Sequence, residues 1–262
     1  MIVRELDGEW LLVDQAEHAR HAGRLAEAWA EGPLAHSALE PGLLTAVRLH
    51  DIGWTRPDAQ PELDPETGGP LHFTKVLDDR HAGFYTEGIG RVIEVDPYAG
   101  YLVSLHATGI YSGRFGWNGL QPVAWASIGE RGRRLLDEQA AYRRSLAPRI
   151  GDAESVLDFE RVWRDYALLQ TFDYLSLFLC AGLESSGCGP VPEGRHGWQN
   201  LRVSRVAMLG AVIEPFPFAR DRLEIDVECR RLARRRFEST SDLRQAIATT
   251  PRAACTTWFQ RA

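Results

Sequence analysis

Residues 41–53 have the sequence PGLLTAVRLHDIG. Proline is favoured in the first turn of a helix, and Leu43, Val47 and His50 then recur at helical spacing. This pattern predicts a helix that delivers His50 and Asp51 into apolar surroundings. A buried carboxylate is costly unless it is paired or bound to a metal, so the segment points to a functional centre inside a helical core.

The helix predicted upstream of this segment also carries histidine on its apolar face. His18, Ala22, Leu25 and Trp29 recur at helical spacing, which turns His18 toward the core. His21 lies one turn later, so the choice between the two histidines stays open. His18 is preferred as the ligand because it lies on the same apolar stripe as Ala22, Leu25 and Trp29.

Three predicted helices downstream continue the pattern. A helix over residues 78–95 carries His81, the next helix carries His106, and the longest helix, over residues 153–182, carries Asp173. Each of these side chains is predicted to lie on an inward stripe, and the stripes contain no lysine or arginine that would pair a buried carboxylate. The helices therefore bring imidazoles and carboxylates to one place.

Such a collection of side chains is typical of a metal centre. A lone histidine on an apolar face is more often a hydrogen-bonded core residue, but the joint pattern favours ligation. Imidazole and carboxylate together suit divalent Fe, Mn, Zn or Co, and one bridging carboxylate can hold two ions. We therefore expect two divalent metal ions with Asp51 as the bridge. The predicted ligands are His18, His50, Asp51, His81, His106 and Asp173.

The order of these residues, centred on Leu49-His50-Asp51-Ile52-Gly53, is similar to that in the HD-domain metalloprotein superfamily. The resemblance covers about residues 14–182 and implies a helical fold. It also implies one ion held by His18, His50, Asp51 and Asp173, with Asp51 bridging to a second ion held by His81 and His106. The flanking segments look like those of an uncharacterised bacterial branch, which implies no particular reaction.

Three function classes follow from this resemblance, whose members include phosphohydrolases, cyclic-dinucleotide phosphodiesterases and diiron oxygenases such as myo-inositol oxygenase. The first expectation is a hydrolase of a small phosphoester that uses a water activated by both ions, with Asp51 at the reacting centre. One alternative is a mixed-valent diiron oxygenase of a small polar substrate. The other is a non-catalytic binding module that retains the metal.

The sequence departs from many hydrolytic members at Trp54, where they place a phosphate-binding lysine. Other cations would then have to bind phosphate; the candidates are Arg56, Lys75, Arg80 and Arg114. Lys75 follows a loop over residues 55–74 that is rich in proline and acidic residues, and a surface role for it is the alternative. His72 at the end of this loop is a candidate proton shuttle, against the alternative of an ordinary hydrogen bond.

Both ends of the chain have strand patterns. Ile2–Leu6 and Glu9–Val13 flank the turn signal Asp7-Gly8, and residues 203–212 and 222–232 are rich in β-formers. The predicted fold class is therefore mainly α, an HD-domain-like helical bundle with a small β-sheet formed by the N-terminal hairpin and the C-terminal strands.

The length of 262 residues suits a single domain. Within residues 1–262 we expect a helical metal-binding core over residues 14–182, with residues 1–13 and 200–262 forming the appended sheet region.

The composition limits the kinds of partner that the protein is expected to bind. The net charge of −6 argues against nucleic acid, which requires a basic surface, and favours a small-molecule substrate. The chain contains no uncharged apolar run of membrane-spanning length, and its first residues lack a secretory pattern, so no membrane and a cytoplasmic location are expected. A homodimer is possible, because homodimers are the commonest oligomers of soluble proteins.

The four cysteines are expected to be reduced thiols; they are Cys180, Cys188, Cys229 and Cys255.

Overall fold

The computed structural model describes residues 1–35, 39–76, 79–112, 129–150, 158–184, 187–194, 196–233 and 236–262. The α-helices in these ranges are Gln15–Ala30 (α1), Pro41–Leu49 (α2), Thr55–Ala59 (α3), Asp79–Val95 (α4), Pro97–Ser112 (α5), Glu130–Leu146 (α6), Phe159–Cys180 (α7) and Thr240–Thr249 (α8). The strands are Ile2–Leu6 (β1), Glu9–Val13 (β2), Gly187–Glu193 (β3), Gly197–Ala207 (β4), Gly210–Glu214 (β5), Arg222–Ala233 (β6) and Arg252–Arg261 (β7). Short 3-10 helices cover Ile52–Trp54, Phe73–Lys75 and Ala147–Arg149.

The described strands form one sheet of seven in the order β1-β2-β6-β7-β5-β4-β3. Neighbouring strands are antiparallel except β5 and β7, which are parallel, so the sheet is mixed. The N-terminal hairpin joins the rest of the sheet through β2, which pairs with β6. The two ends of the chain therefore share one sheet.

The predicted fold class is wrong. About half of the described residues are helical and about a quarter lie in strands, which makes an α/β fold and not a mainly α bundle with a small sheet. The sheet is larger than expected because β3 and β7 were not recognised and because residues 203–212, predicted as one run, belong to two strands, β4 and β5. β3 contains Pro190 and Pro192, which sequence patterns exclude from central strands but which an edge strand such as β3 tolerates.

The helices pack on the sheet through a row of aromatic side chains. Trp29 of α1 lies edge-to-face with Phe172 of α7 and with Phe218, at ring-centroid distances of 5.6 and 6.4 Å. Phe218 in turn stacks on Phe259 of β7 at 6.2 Å. Each of these four side chains is almost completely buried, and burial of one large apolar side chain contributes about 1.5–3 kcal/mol. This packing fixes α1 and α7, which carry two of the predicted ligands, against the sheet.

The expectation of four reduced cysteines is wrong for one pair. Cys229 of β6 and Cys255 of β7 form a disulfide between neighbouring strands. Cys180 and Cys188 are free and buried, and burial raises the pKa of the Cys180 thiol to about 12. In the described ranges no helix combines the length and the apolar character needed to cross a membrane.

Candidate metal centre

The His50-Asp51 segment is held by a close approach of two backbones. Asp51 directly precedes the 3-10 helix Ile52–Trp54, in which Gly53 packs against α4. A Cβ on Gly53 would lie 2.0 Å from the carbonyl oxygen of Phe84. Only glycine permits this distance, and the contact sets Asp51 beside the side chains of α4.

Five of the six predicted ligands converge in one cluster. Ligand atoms of His18, His50 and Asp51 lie within 4.8 Å of one another, and so do those of His50, His106 and Asp173. The two groups share His50, so we treat these five residues as one histidine-aspartate cluster. It joins α1, α2, α5 and α7, as the apolar stripes of the sequence predicted.

Asp173 is the carboxylate on which the imidazoles converge. Its Oδ1 lies 2.9 Å from Nε2 of His18 and 3.3 Å from Nε2 of His50, and its Oδ2 lies 4.0 Å from Nε2 of His106. Burial alone would raise the pKa of Asp173, but the contacts with His18 and His50 outweigh it and hold the pKa far below the usual range. Its side chain keeps 18% exposure, so this carboxylate is the cluster's contact with solvent.

His50 presents one nitrogen to the cluster and anchors the other. Its Nδ1 donates to the carbonyl oxygen of Val47 at 2.8 Å, which orients the ring. Its Nε2 is buried and lies 3.5 Å from Oδ2 of Asp51 and 3.3 Å from Oδ1 of Asp173, without the geometry of a well-formed hydrogen bond to either. Burial lowers the pKa of His50, but Asp51 and Asp173 outweigh it and raise the pKa to about 9. The two carboxylates thus favour a cation at this Nε2, which is a proton in the metal-free protein and would be a metal ion in the loaded one.

A chain of hydrogen bonds supports His18 from behind. Thr257 of β7 donates its hydroxyl to the carbonyl of Ile225, so its Oγ1 accepts from Nε2 of His21 at 2.8 Å. Burial lowers the pKa of His21 to about 3, so the ring is neutral. The Ser176 hydroxyl donates to the backbone carbonyl of His18 at 3.1 Å and lies 2.9 Å from Nδ1 of His21. Nδ1 of His18 is hydrogen-bonded to the same hydroxyl at 2.7 Å.

Nε2 of His18 lies on the opposite side of the ring from Ser176 and contacts Oδ1 of Asp173 at 2.9 Å. His18, and not His21, is therefore the residue that the structure turns toward the cluster. His21 is part of its support.

Asp51 is oriented by Tyr85 of α4. The Tyr85 hydroxyl donates to Oδ1 of Asp51 at 2.9 Å. Burial, followed by the charges of Asp51 and Asp173, raises the pKa of Tyr85 well above its usual value, so it remains a donor. Oδ2 of Asp51 is left to face the two histidines.

His81 is buried nearby but lies in neither group of converging ligand atoms. Its ring packs against Tyr85 and Trp54 at centroid distances of 5.0 and 5.4 Å, and its Nδ1 is hydrogen-bonded to the hydroxyl of Tyr111.

His106 is the third imidazole of the cluster. Burial lowers its pKa to about 4, which keeps the imidazole neutral, as a metal ligand must be.

The structure does not bring His72 and Lys75 to the cluster. His72 is hydrogen-bonded to Thr74, and burial lowers its pKa to about 4. Lys75 pairs with Asp64 at 2.7 Å and Glu66 at 2.6 Å, so its charge is already matched within the loop.

Of the other predicted phosphate-binding cations, Arg80 pairs with Glu62, and Arg56 lines a cavity next to Trp54. Arg114 lies outside the described residues.

The residues that support the ligands were not predicted from the sequence. Ser176 follows Asp173 by three residues on α7, and this spacing alone would have placed its hydroxyl on the same face. Thr257 gave no signal because β7 was not recognised.

The donor set fits a divalent metal ion. Three imidazoles and two carboxylates converge, the buried Nε2 of His50 faces both carboxylates, and His18 is supported by hydrogen bonds behind it. No lysine or arginine appears among the hydrogen bonds and ion pairs described for these five side chains.

Comparison with known proteins gives a family but no activity. No curated protein and no solved structure matches the chain. A family model described as "Protein of unknown function (DUF3891)" matches residues 1–234, which include all six predicted ligands. Because this match covers most of the chain, the protein belongs to the DUF3891 family.

Proposed function

We propose that the protein is a metal-dependent hydrolase of the HD type that acts on a small phosphoester at the histidine-aspartate cluster. The observation that carries the proposal is the convergence of three imidazoles and two carboxylates in one buried cluster, in which Nε2 of His50 lies 3.3 Å from Asp173 and 3.5 Å from Asp51. A bound divalent cation would be held by these groups together.

The proposal includes two metal-ion positions, and the structure supports the first more directly than the second. His18, His50, Asp51 and Asp173 would hold the first, and the short distances within the cluster support it. Asp51, His81 and His106 would hold the second; here the support is the resemblance, together with the buried position of His81 beside Tyr85. When bound, such ions supply an acidified water and neutralise charge on a phosphoryl group.

The protein's own residues would position the ligands and the substrate. Tyr85 holds Asp51, and the Ser176-His21-Thr257 chain holds His18, so the ligand atoms are oriented before any ion arrives. Trp54 packs on His81 and also lines a cavity of about 280 Å³. Arg56 lines the same cavity, and no ion pair is described for it, so its guanidinium is suited to a phosphate group.

The direct test compares two aspartates of the same helix. Asp173→Asn removes a proposed ligand, whereas Asp165→Asn changes a buried carboxylate that bonds to Tyr98 outside the cluster. We expect metal content and phosphoester hydrolysis to fall by at least about tenfold in Asp173→Asn and to persist in Asp165→Asn. Equal metal content in the wild type and Asp173→Asn would overturn the assignment.

The same preparations separate the alternative functions. Two irons with a coupled mixed-valent paramagnetic signal that responds to oxygen and substrate, without phosphoester turnover, would replace the hydrolase with an oxygenase. Bound metal without turnover of either kind would leave a binding module.

A further inference from the structure

A second polar site lies in a groove of about 620 Å³ between α1, α3, α4, α8 and the strands β6 and β7. None of the five cluster residues lines it. Five arginines line this arginine groove against two aspartates, Asp14 and Asp58. The arginines are Arg20, Arg91, Arg230, Arg244 and Arg252. Arg20 pairs with Glu17 and Arg252 pairs with Glu228, so the excess positive charge of the groove lies at Arg91, Arg230 and Arg244.

Both aspartates of the groove are already engaged. Asp58 pairs with the amino group of Met1 and accepts from the backbone nitrogen of Gln15 at 2.6 Å. Asp14 pairs with Arg252 at 2.6 Å and lies 4.0 Å from Arg230. Neither carboxylate contacts Arg91 or Arg244, so these two charges are not compensated from within the groove.

Arg91 and Arg244 have no carboxylate partner among the residues that the structure describes. Arg91 donates to the carbonyl of Ile52 at 3.1 Å, and Arg244 donates to those of Pro61 and Gln60 at 3.0 and 3.4 Å. Because these carbonyl acceptors are neutral, they hold each arginine side chain in place without compensating its positive charge. Both guanidiniums also keep donor atoms for which no partner is described.

Arg230 supplies a third donor of the same kind. Its Nε is buried and has no hydrogen-bond partner in the described ranges, although the side chain as a whole is 20% exposed. A buried donor without a partner is costly, so this atom points to a missing acceptor. Arginines of α4, α8 and β6 thus line one groove, and each keeps donor atoms for which no partner is described.

We propose that the arginine groove binds a small molecule that carries two or more phosphate or carboxylate groups. The planar guanidinium presents paired donors that match the oxygens of either group, and several converging guanidiniums require a ligand with more than one charge. The volume suits a small molecule. The groove shares Met1, Asp58, Pro61 and Arg244 with the cavity beside Trp54 and Arg56, but it contains none of the five cluster residues, so the inference does not depend on the function proposed for the cluster.

The test is isothermal titration calorimetry of the full chain with pyrophosphate and, separately, with citrate, at constant ionic strength. Both probes chelate metals, so the titrations use metal-free protein and are repeated with Asp173→Asn, which lacks a proposed metal ligand. We expect saturable binding of at least one probe, equal in both proteins and weaker at high salt. The probe that binds more tightly assigns the group as phosphate or carboxylate.

Arg91→Gln and Arg244→Gln should each weaken binding about tenfold, since each removes a charged donor. Arg222→Gln is the matched control, because Arg222 is a partly exposed arginine of β6 that bonds to Glu224 and does not line the groove. The two test positions lie on separate helices and are exposed, so an unchanged unfolding midpoint verifies that each variant folds.

The proposal would be overturned by the absence of saturable binding of both probes, by an equal loss of affinity in Arg222→Gln, or by loss of binding in Asp173→Asn. Displacement of the probe by a single-stranded oligonucleotide at a lower concentration would also overturn it, in favour of a nucleic-acid surface.

Discussion

His21 should make the protein sensitive to mild acid. The side chain is fully buried between Ser176 and Thr257, and burial lowers its pKa from the ordinary 6.5 to about 3. In the unfolded chain the imidazole is free to take up a proton near its ordinary pKa. Between these two values the unfolded state binds more protons than the folded state, so stability falls as the pH falls through this window.

The size of the effect follows from the two pKa values. For one group that titrates near 6.5 when unfolded and near 3 when folded, lowering the pH from about 7 to about 5 removes about 2 kcal/mol of stability. The substitution His21→Gln removes this titration and keeps a donor for Thr257 and an acceptor for Ser176.

Urea unfolding of metal-free protein at both pH values measures the difference. Other buried histidines, such as His72 and His106, titrate in both proteins and cancel in the comparison. The wild type should lose about 2 kcal/mol more than His21→Gln. His196→Gln, which removes a histidine whose side chain is 73% exposed, controls for the loss of one imidazole. An equal loss in the wild type and in His21→Gln would refute the reasoning.

Three further changes have defined outcomes. Gly53→Ala should destabilise the protein by about 1–3 kcal/mol and reduce metal binding, because its Cβ meets the Phe84 carbonyl; Gly90→Ala, with open space around it, should stabilise by up to about 1 kcal/mol. Trp29→Ala should cost about 3–5 kcal/mol in urea unfolding, and a cost below about 1 kcal/mol would contradict the aromatic row. Cys229→Ala should lower stability by about 3 kcal/mol under oxidising conditions, and reductant should lower the wild type to a similar level.

The sequence was most informative where one helix carries the signal. On α7 the spacing of Leu169 and Asp173 predicted an inward carboxylate, and on α1 the stripe of Ala22, Leu25 and Trp29 predicted that His18 faces the core. Those positions are set by the helical repeat alone, so a single chain suffices to find them. The structure accordingly places both side chains in the cluster.

The same patterns do not predict the distances between side chains on different helices. His81 has the same inward spacing as the other ligands, yet it lies outside both groups of converging atoms, because spacing fixes a face and not a separation. The bond between His21 and Thr257 joins residues 236 positions apart, and no local pattern predicts it. The number of strands was underestimated for a similar reason, since the propensity of a segment to form a strand depends on its neighbours in the sheet, which the sequence pattern does not reveal.

The position of β7 in the sheet also has a consequence for how the chain reaches its fold. This strand lies between β5 and β6, although it follows both in the sequence. During synthesis the ribosome releases β5 and β6 before the strand that separates them exists, so their shared edges stay open until residues 252–261 emerge. Chain growth up to β6 thus yields an intermediate with exposed strand edges and an incomplete support for His18. The late pairings span long sequence distances, which slows folding and makes this stage the one most exposed to aggregation.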